Sequence, residues 1–320
     1  MFDKIPTIDK PQEILEIAFK KSKKIIISDR HPFYKKKKTI LAKIESFSTS
    51  IINRFKNYEK KFPSIDNLPK FYQELIDIKI SVDKLKHSLG TIGWAKKTCE
   101  HIFLSQIKYL RKTNDIKYLI KKEKEIYGRI SSVVKQVGKD LEYLSNAGKI
   151  LKKFPIIEDI DTVVLAGYPN VGKSSLLKSM SKAKPKIATY PFTTKEIFIG
   201  HIIRKKHYID KKIQIIDTPG LLDRAIDKKN DIELQAIAAM KYLTSLIVFI
   251  LDPSETCGYS LKDQKSLLNQ IKKMFIDSEI IIVENKTDLK KTKSKYLQIS
   301  CQNNKGIEKL IDEIFRYFED

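Results

Sequence analysis

The run TVVLA at 162–166 opens directly into GYPNVGKSS at 167–175, and this junction constrains the chain more than any other stretch. It satisfies G-x-x-x-x-G-K-S between a predicted strand and a predicted helix. Gly167 and Gly172 let backbone N–H groups curl around a phosphate, and the following helix offers the positive end of its dipole. Lys173 is placed to reach β- and γ-phosphate oxygens, and the Ser174 hydroxyl to take one position on Mg²⁺. Pro169, Asn170, Val171 and Ser175 complete the expected nucleotide-contacting loop. A loop of this kind needs a mainly parallel sheet behind it.

The rest of the second half supplies that sheet. Short β-rich runs alternate with helical segments at Thr162–Gly167, Ile197–Ile203, Ile213–Asp217, Ser245–Asp252, Glu279–Val283 and Tyr296–Ser300, predicting six strands with helices on both faces. The polar constellations fall just after these strands, where such sheets bind ligands. Asp217-Thr-Pro-Gly220 follows the third run: Asp217 would hold Mg²⁺ through water, and the Gly220 N–H would sense the γ-phosphate. Between them lies YPFTTK at 190–195, whose Thr194 would complete the metal shell. Lys173, Thr194 and Gly220 are therefore the expected catalytic set, with Ser174, Thr194 and Asp217 on the metal.

Base identity is written in Asn285-Lys-Thr-Asp288, after EIIIVE. A carboxylate here accepts from guanine N1–H and the N2 amine, and adenine would leave Asp288 buried and unpaired. Asn285 would bond the base and the loop, and the Lys286 stem would cover the ring. Ser300-Cys301 fits the loop whose backbone N–H meets guanine O6. The expected ligand is GTP or GDP. Leu221 stands where Ras-like proteins carry a water-orienting glutamine, so unassisted hydrolysis is expected to be slow. Asn170, at a position that binds K⁺ in several GTPases, and Arg224 are the two candidate compensations.

The first half reads differently. From Pro11 to Phe154 apolar residues recur at helical spacing, broken at Asp29–Pro32, Phe62–Pro69 and Lys112–Asp115, which predicts a helical bundle over 1–155 ahead of a GTPase domain over 156–320. One apolar stripe runs from about Asp115 to Phe154; unbroken, it would span roughly 60 Å, and Gly128, Gly138 and Gly148 allow a bend or a close helix approach. Residues 1–155 hold 35 Lys/Arg against 17 Asp/Glu, whereas 156–320 hold 27 against 22. One genome wrote both halves, so the excess in the first has a local cause. A polyanion, nucleic acid foremost, is the leading one, and lysines on solvated helix faces are the plain alternative.

Three well-separated cysteines and five histidines without metal spacing point away from a disulfide scaffold or a zinc site. The start MFDKIPTIDKPQ carries no leader-like apolar core, and no apolar run reaches the ~18 residues a spanning helix needs. The expectation is a monomer in the cytoplasm, away from membranes.

At these residues the chain resembles the Nog-type nucleolar GTP-binding proteins of the Obg-related branch. GYPNVGKSS, YPFTTK and DTPGLLDR are shared across that branch. KKNDIELQAI at 228–237, DPSETCGYSLKDQ at 252–264 and the opening IPTIDKPQEILEIAF are the Nog-like text. The resemblance implies the nucleotide roles at Asn170, Lys173, Ser174, Thr194, Asp217, Asn285, Asp288 and Ser300. It also implies a partner, the assembling large ribosomal subunit and its rRNA. Ending after one helix at 306–318 matches a compact archaeal-type member. Other readings are a signal-recognition-type GTPase, a tRNA-modifying GTPase, or a nucleotide-dependent RNA scaffold that does not hydrolyse. GYPNVGKS and NKTD disfavour the first of these, and the absence of a one-carbon site disfavours the second.

Overall fold

The computed structural model describes residues 2–181, 183–189, 196–206, 209–223 and 231–319. Its contacts divide into two compact units, Met1–Asn67 with Ile80–Lys152, and Leu68–Lys79 with Lys153–Asp320. Among the described residues, no helix is long and apolar enough to cross a membrane.

The first unit is helical: α1 (Pro11–Lys23), α2 (Pro32–Lys61), α4 (Val82–Lys112), α5 (Ile116–Gln136) and α6 (Gly138–Leu151). Pro11 and Pro32 start their helices where a missing N–H costs nothing. Asp115 caps α5 by accepting from the N–H groups of Lys117 (2.8 Å) and Tyr118 (3.1 Å). The long α2 and α4 bury Ile44, Phe47, Ile51, Phe55, Cys99 and Leu110 completely. Phe47 also packs within 4.7 Å of Phe19 and 4.2 Å of Tyr127, centroid to centroid. The opening segment is held onto this unit. Ile5 and Ile8 are buried, and Asp9 accepts from Arg54 and from the Tyr58 hydroxyl.

The stripe expected as one helix over 115–154 is two, parted at Val137. Two of its three glycines have a packing reason. A Cβ at Gly138 would stand 3.2 Å from Pro11 Cγ, and one at Gly148 would stand 3.2 Å from Ile5 Cγ2. Gly128 has open space around it. The breaks at 62–69 and 113–115 lie where the punctuation predicts. The break at Ser81 (φ +66°), which separates α3 (Lys70–Ile80) from α4, carries no Pro or Gly signal.

The second unit is built on a seven-stranded sheet in the order β2-β3-β4-β1-β5-β6-β7. The strands are β1 (Thr162–Ala166), β2 (Lys186–Thr189), β3 (Glu196–Lys206), β4 (Ile209–Asp217), β5 (Leu246–Leu251), β6 (Glu279–Glu284) and β7 (Leu297–Gln298). Strands β4, β1, β5, β6 and β7 run parallel, while β2 and β3 are antiparallel to their neighbours. The helices of this unit are α3, α7 (Lys173–Met180), α8 (Asp231–Met240), α9 (Leu261–Met274) and α10 (Ile307–Tyr317). The extra strand beyond the six expected is β2, a four-residue edge whose KIAT sequence lacks an apolar run. Central β1 is buried along its whole length. The chain leaves β1 to build one flank of the sheet and then crosses to β5 on the other, so the ligand crevice opens at the carboxyl end of β1.

By its contacts helix α3 groups with the second unit, although it lies within the 1–155 stretch read as helical bundle. Phe71, Tyr72, Leu75 and Ile76 are buried, and the Tyr72 hydroxyl donates to Pro155 O and accepts from Ile157 N–H, both at 2.8 Å. Helical spacing reveals the apolar face of α3 but not which unit it covers. Tyr72→Phe strands a buried carbonyl and N–H, so it should cost about 1–3 kcal/mol of stability by denaturant titration. A fragment starting at residue 153 should be less stable than one to which 68–79 is supplied as a peptide.

Candidate nucleotide site

Two glycines of the phosphate loop hold conformations and close approaches that a side chain would strain. At Gly167 (φ +135°) a Cβ would stand 2.6 Å from Ile250 O, and its N–H donates to Leu222 O at 3.1 Å. At Gly172 (φ +104°) a Cβ would stand 2.2 Å from Asn285 Nδ2. The space kept open at Gly172 is used by that amide. Asn285 Nδ2 donates to Val171 O at 2.9 Å, and its Oδ1 accepts from Cys301 N–H at 3.2 Å. One buried side chain thus joins the phosphate loop, the 285–288 loop and the 300–301 loop.

At the phosphate end, Lys173 is only 7% exposed and its ammonium donates to Gly167 O and Tyr168 O, both at 2.8 Å. Ser174 Oγ donates to Asp217 Oδ2 at 2.5 Å. Asp217 is fully buried; burial pushes its carboxyl up, against the pull of the Ser174 hydrogen bond and the Lys173 charge. Its Oδ1 and the Thr218 hydroxyl have no hydrogen-bond partner among the described residues. A buried, half-satisfied carboxylate beside a hydroxyl is a donor set that fits a hydrated divalent cation. Gly220 (φ +89°) donates its N–H to Asp223 Oδ2 at 2.7 Å. Leu221 is completely buried, so it serves the core and not a water. Thr194 and Arg224 lie outside the described residues.

At the base end, Asp288 Oδ1 accepts from Ser300 Oγ at 2.5 Å, which fixes the carboxylate expected to read guanine. Lys286 (φ +61°) donates to Asp252 Oδ2 at 2.7 Å and to Thr256 Oγ1 at 2.9 Å. A cavity of about 390 Å³ lies against Asn170, Gly172, Ser175, Lys286, Asp288 and Cys301. A second, of about 470 Å³, lies against Pro169, Asn170, Gly172, Lys173, Ser174, Ser175, Pro219 and Asp223. Asn170 (φ +62°), Gly172 and Ser175 line both, so the two cavities meet over the phosphate loop. The Val171 side chain is buried in the core and its carbonyl is held by Asn285. The Cys301 N–H, expected to face guanine O6, is spent on Asn285 here.

Two residues that build the site were not read as such from the sequence, Asp252 and Gln264. The fully buried Asp252 carboxylate accepts from Ser254 N–H and Oγ, Thr256 Oγ1, Cys257 N–H and Lys286 Nζ. Burial pushes this carboxyl up, but hydrogen bonds from Lys286 and Ser254 outweigh it and hold it below the usual range. Gln264 closes the loop by accepting from Asp252 N–H (2.7 Å) and donating to Asp252 O (3.0 Å) and Tyr259 O (2.9 Å). Tyr259 in turn stacks on Tyr168 of the phosphate loop, with centroids 4.1 Å apart. The signal was present as an Asp followed by hydroxyl residues two and four positions on, an Asx-type turn.

Residues 2–158 match the family model of the NOG1 N-terminal helical domain, and residues 231–288 match that of nucleolar GTP-binding protein 1 (NOG1). An uncharacterized protein of Methanocaldococcus jannaschii is 38% identical over 292 residues, which is 90% of this chain and 81% of that protein. Nucleolar GTP-binding protein 1 of Encephalitozoon cuniculi is 30% identical over 325 residues, covering 96% of this chain and 61% of its own length. The chain spans about half the length of the eukaryotic relatives it matches. A crystal structure of nucleolar GTP-binding protein 1 from Plasmodium falciparum is 32% identical, with a TM-score of 0.44, and covers 52% of this chain and 90% of the other.

Asp217 carries a buried charge that the ligand-free protein does not fully satisfy. Asp217→Asn should therefore raise the melting temperature of the ligand-free chain, by about 2–4 °C in calorimetry. A lower melting temperature would mean that the carboxylate is already well partnered.

Proposed function

The chain belongs to the nucleolar GTP-binding protein 1 family, and from that premise we propose that it binds and hydrolyses GTP as a switch in large ribosomal subunit assembly. In this reading the Lys-rich helical unit grips pre-ribosomal RNA and the sheet unit times its release. The observation that carries the reading is the junction of two cavities over Asn170, Gly172 and Ser175, one lined by Lys173 and Ser174 and the other by Asn285 and Asp288.

Guanosine at the base end meets Asp288, which the Ser300 hydroxyl holds in place, and adenosine offers that carboxylate no donor. The ligand's phosphates draw the Lys173 ammonium off the Gly167 and Tyr168 carbonyls and take over its hydrogen bonds. Ser174, Asp217 and Thr194 would hold magnesium, which when bound neutralises charge on the phosphate oxygens. Asn170 is the residue offered to K⁺. With Leu221 in the core, no glutamine-like side chain orients the water from that position, which supports a slow basal turnover stimulated by ribosomal particles.

Calorimetry with magnesium should give GTP and GDP affinities at least about hundredfold above that for ATP, and Asp288→Asn should erase most of this preference. Equal affinity for GTP and ATP would overturn the assignment. Binding of the whole chain to rRNA should weaken more than about hundredfold between ~50 and ~300 mM salt, since lysine–phosphate contacts release counterions. Turnover that does not rise with large-subunit particles would favour a scaffold instead.

A further inference from the structure

Most of the phosphate cavity suits an anion, and Asp223 does not. Lys173, Ser174, Pro219 and Asp223 line the same space. The Asp223 side chain is 3% exposed, and its Oδ2 accepts the Gly220 N–H at 2.7 Å. Pro219 has no N–H, so Gly220 supplies the amide donor of the Pro-Gly pair. That donor is the one the sequence assigns to the terminal phosphate of a triphosphate. The charge of Asp223 also reaches Asp217, whose carboxyl is held up first by burial and further by this neighbour.

A carboxylate and a phosphate oxygen compete for one N–H, and two anions on one donor repel each other. A diphosphate has no group that contests this position. A triphosphate contests it with three acceptor oxygens and a larger charge. We propose that Asp223 is an internal stand-in for the γ-phosphate: it occupies Gly220 in the empty and diphosphate states and must be expelled by GTP. This rests on the reading of the groove as a guanine-nucleotide site. It makes Asp223 a positioning residue that sets the preference between triphosphate and diphosphate.

The surroundings say where the chain gives way when this happens. Leu221 and Leu222 are packed in the core, and Leu222 O is held by the Gly167 N–H at 3.1 Å. The segment cannot peel away from its start at Gly220. Expulsion of the carboxylate therefore displaces the Asp223 side chain while Leu221 and Leu222 stay seated.

The test measures the affinities of the full chain for a non-hydrolysable GTP analogue and for GDP, with magnesium, in wild type, Asp223→Ala and Asp223→Asn. The ratio of triphosphate to diphosphate affinity should rise about tenfold in Asp223→Ala, the scale of one charge-assisted hydrogen bond. Asp223→Asn keeps an acceptor and loses the charge, so its ratio should rise by less. If Asp223→Ala fails to fold, as judged by its melting curve, the ratio in Asp223→Asn decides. Ratios within about twofold of wild type while both nucleotides still bind would overturn the proposal and leave the site reading standing. A fall in turnover with no change in the ratio would also overturn it, making Asp223 a water-orienting group. Failure of the wild type to bind either nucleotide would instead overturn the site reading, and this proposal with it.

Discussion

The site depends on one buried amide. Asn285 touches Val171 of the phosphate loop with its nitrogen and Cys301 of the last loop with its oxygen, while its own backbone begins the 285–288 loop. Three loops that leave three different strands are brought into one register by this side chain. A buried polar group is stabilising only when its partners are satisfied, and here both ends are. Gly172 is the complement of this contact, because any side chain at that position would collide with the amide. The walls of the two cavities are therefore set together. A disturbance at one end of the groove reaches the other through a distance of two hydrogen bonds.

Around this staple sits a wall that costs charge to build. Asp252 is wholly buried and ionised, and it is tolerated because five donors from 254–257 and Lys286 converge on it. Lys286 is thereby pinned with its stem along the base cavity, and the Tyr168–Tyr259 stack ties the wall to the phosphate loop. Asp217 is the opposite case. It is equally buried but, among the described residues, holds one oxygen without a hydrogen-bond partner. One carboxylate is complete within the protein; the other, among the described residues, keeps one oxygen open.

Much of this was legible in advance, for physical reasons. The strand-glycine-lysine junction at 162–175 is local, and its conformational demand can be met by few sequences, so it was readable from the text. The parallel strands β1 and β5 announce themselves because burial on both faces makes them continuous apolar runs. What stayed hidden depends on contacts between distant residues. β2 is a short polar edge defined only by its pairing with β3. The close approach of Pro11 to Gly138, beside the break between α5 and α6, joins residues more than a hundred positions apart. Asp252 and Gln264 look like ordinary loop polar residues until the fold closes on them. The catalytic reading of Gly220 missed Asp223 for the same reason, since three residues of sequence do not say which way a carboxylate turns.

Helix α3 has a consequence for how the molecule is made. Its apolar face, Phe71, Tyr72, Leu75 and Ile76, is translated early, yet the unit that buries it starts at Lys153 and is completed only near the chain terminus. At roughly 5–20 residues per second, that face waits for at least about ten seconds on the emerging polypeptide before its partner exists. The helices on either side of α3 in sequence need no such delay, because their partners lie before residue 152. Until the second unit is complete, the 68–79 stretch of a newborn chain lacks the residues it clusters with.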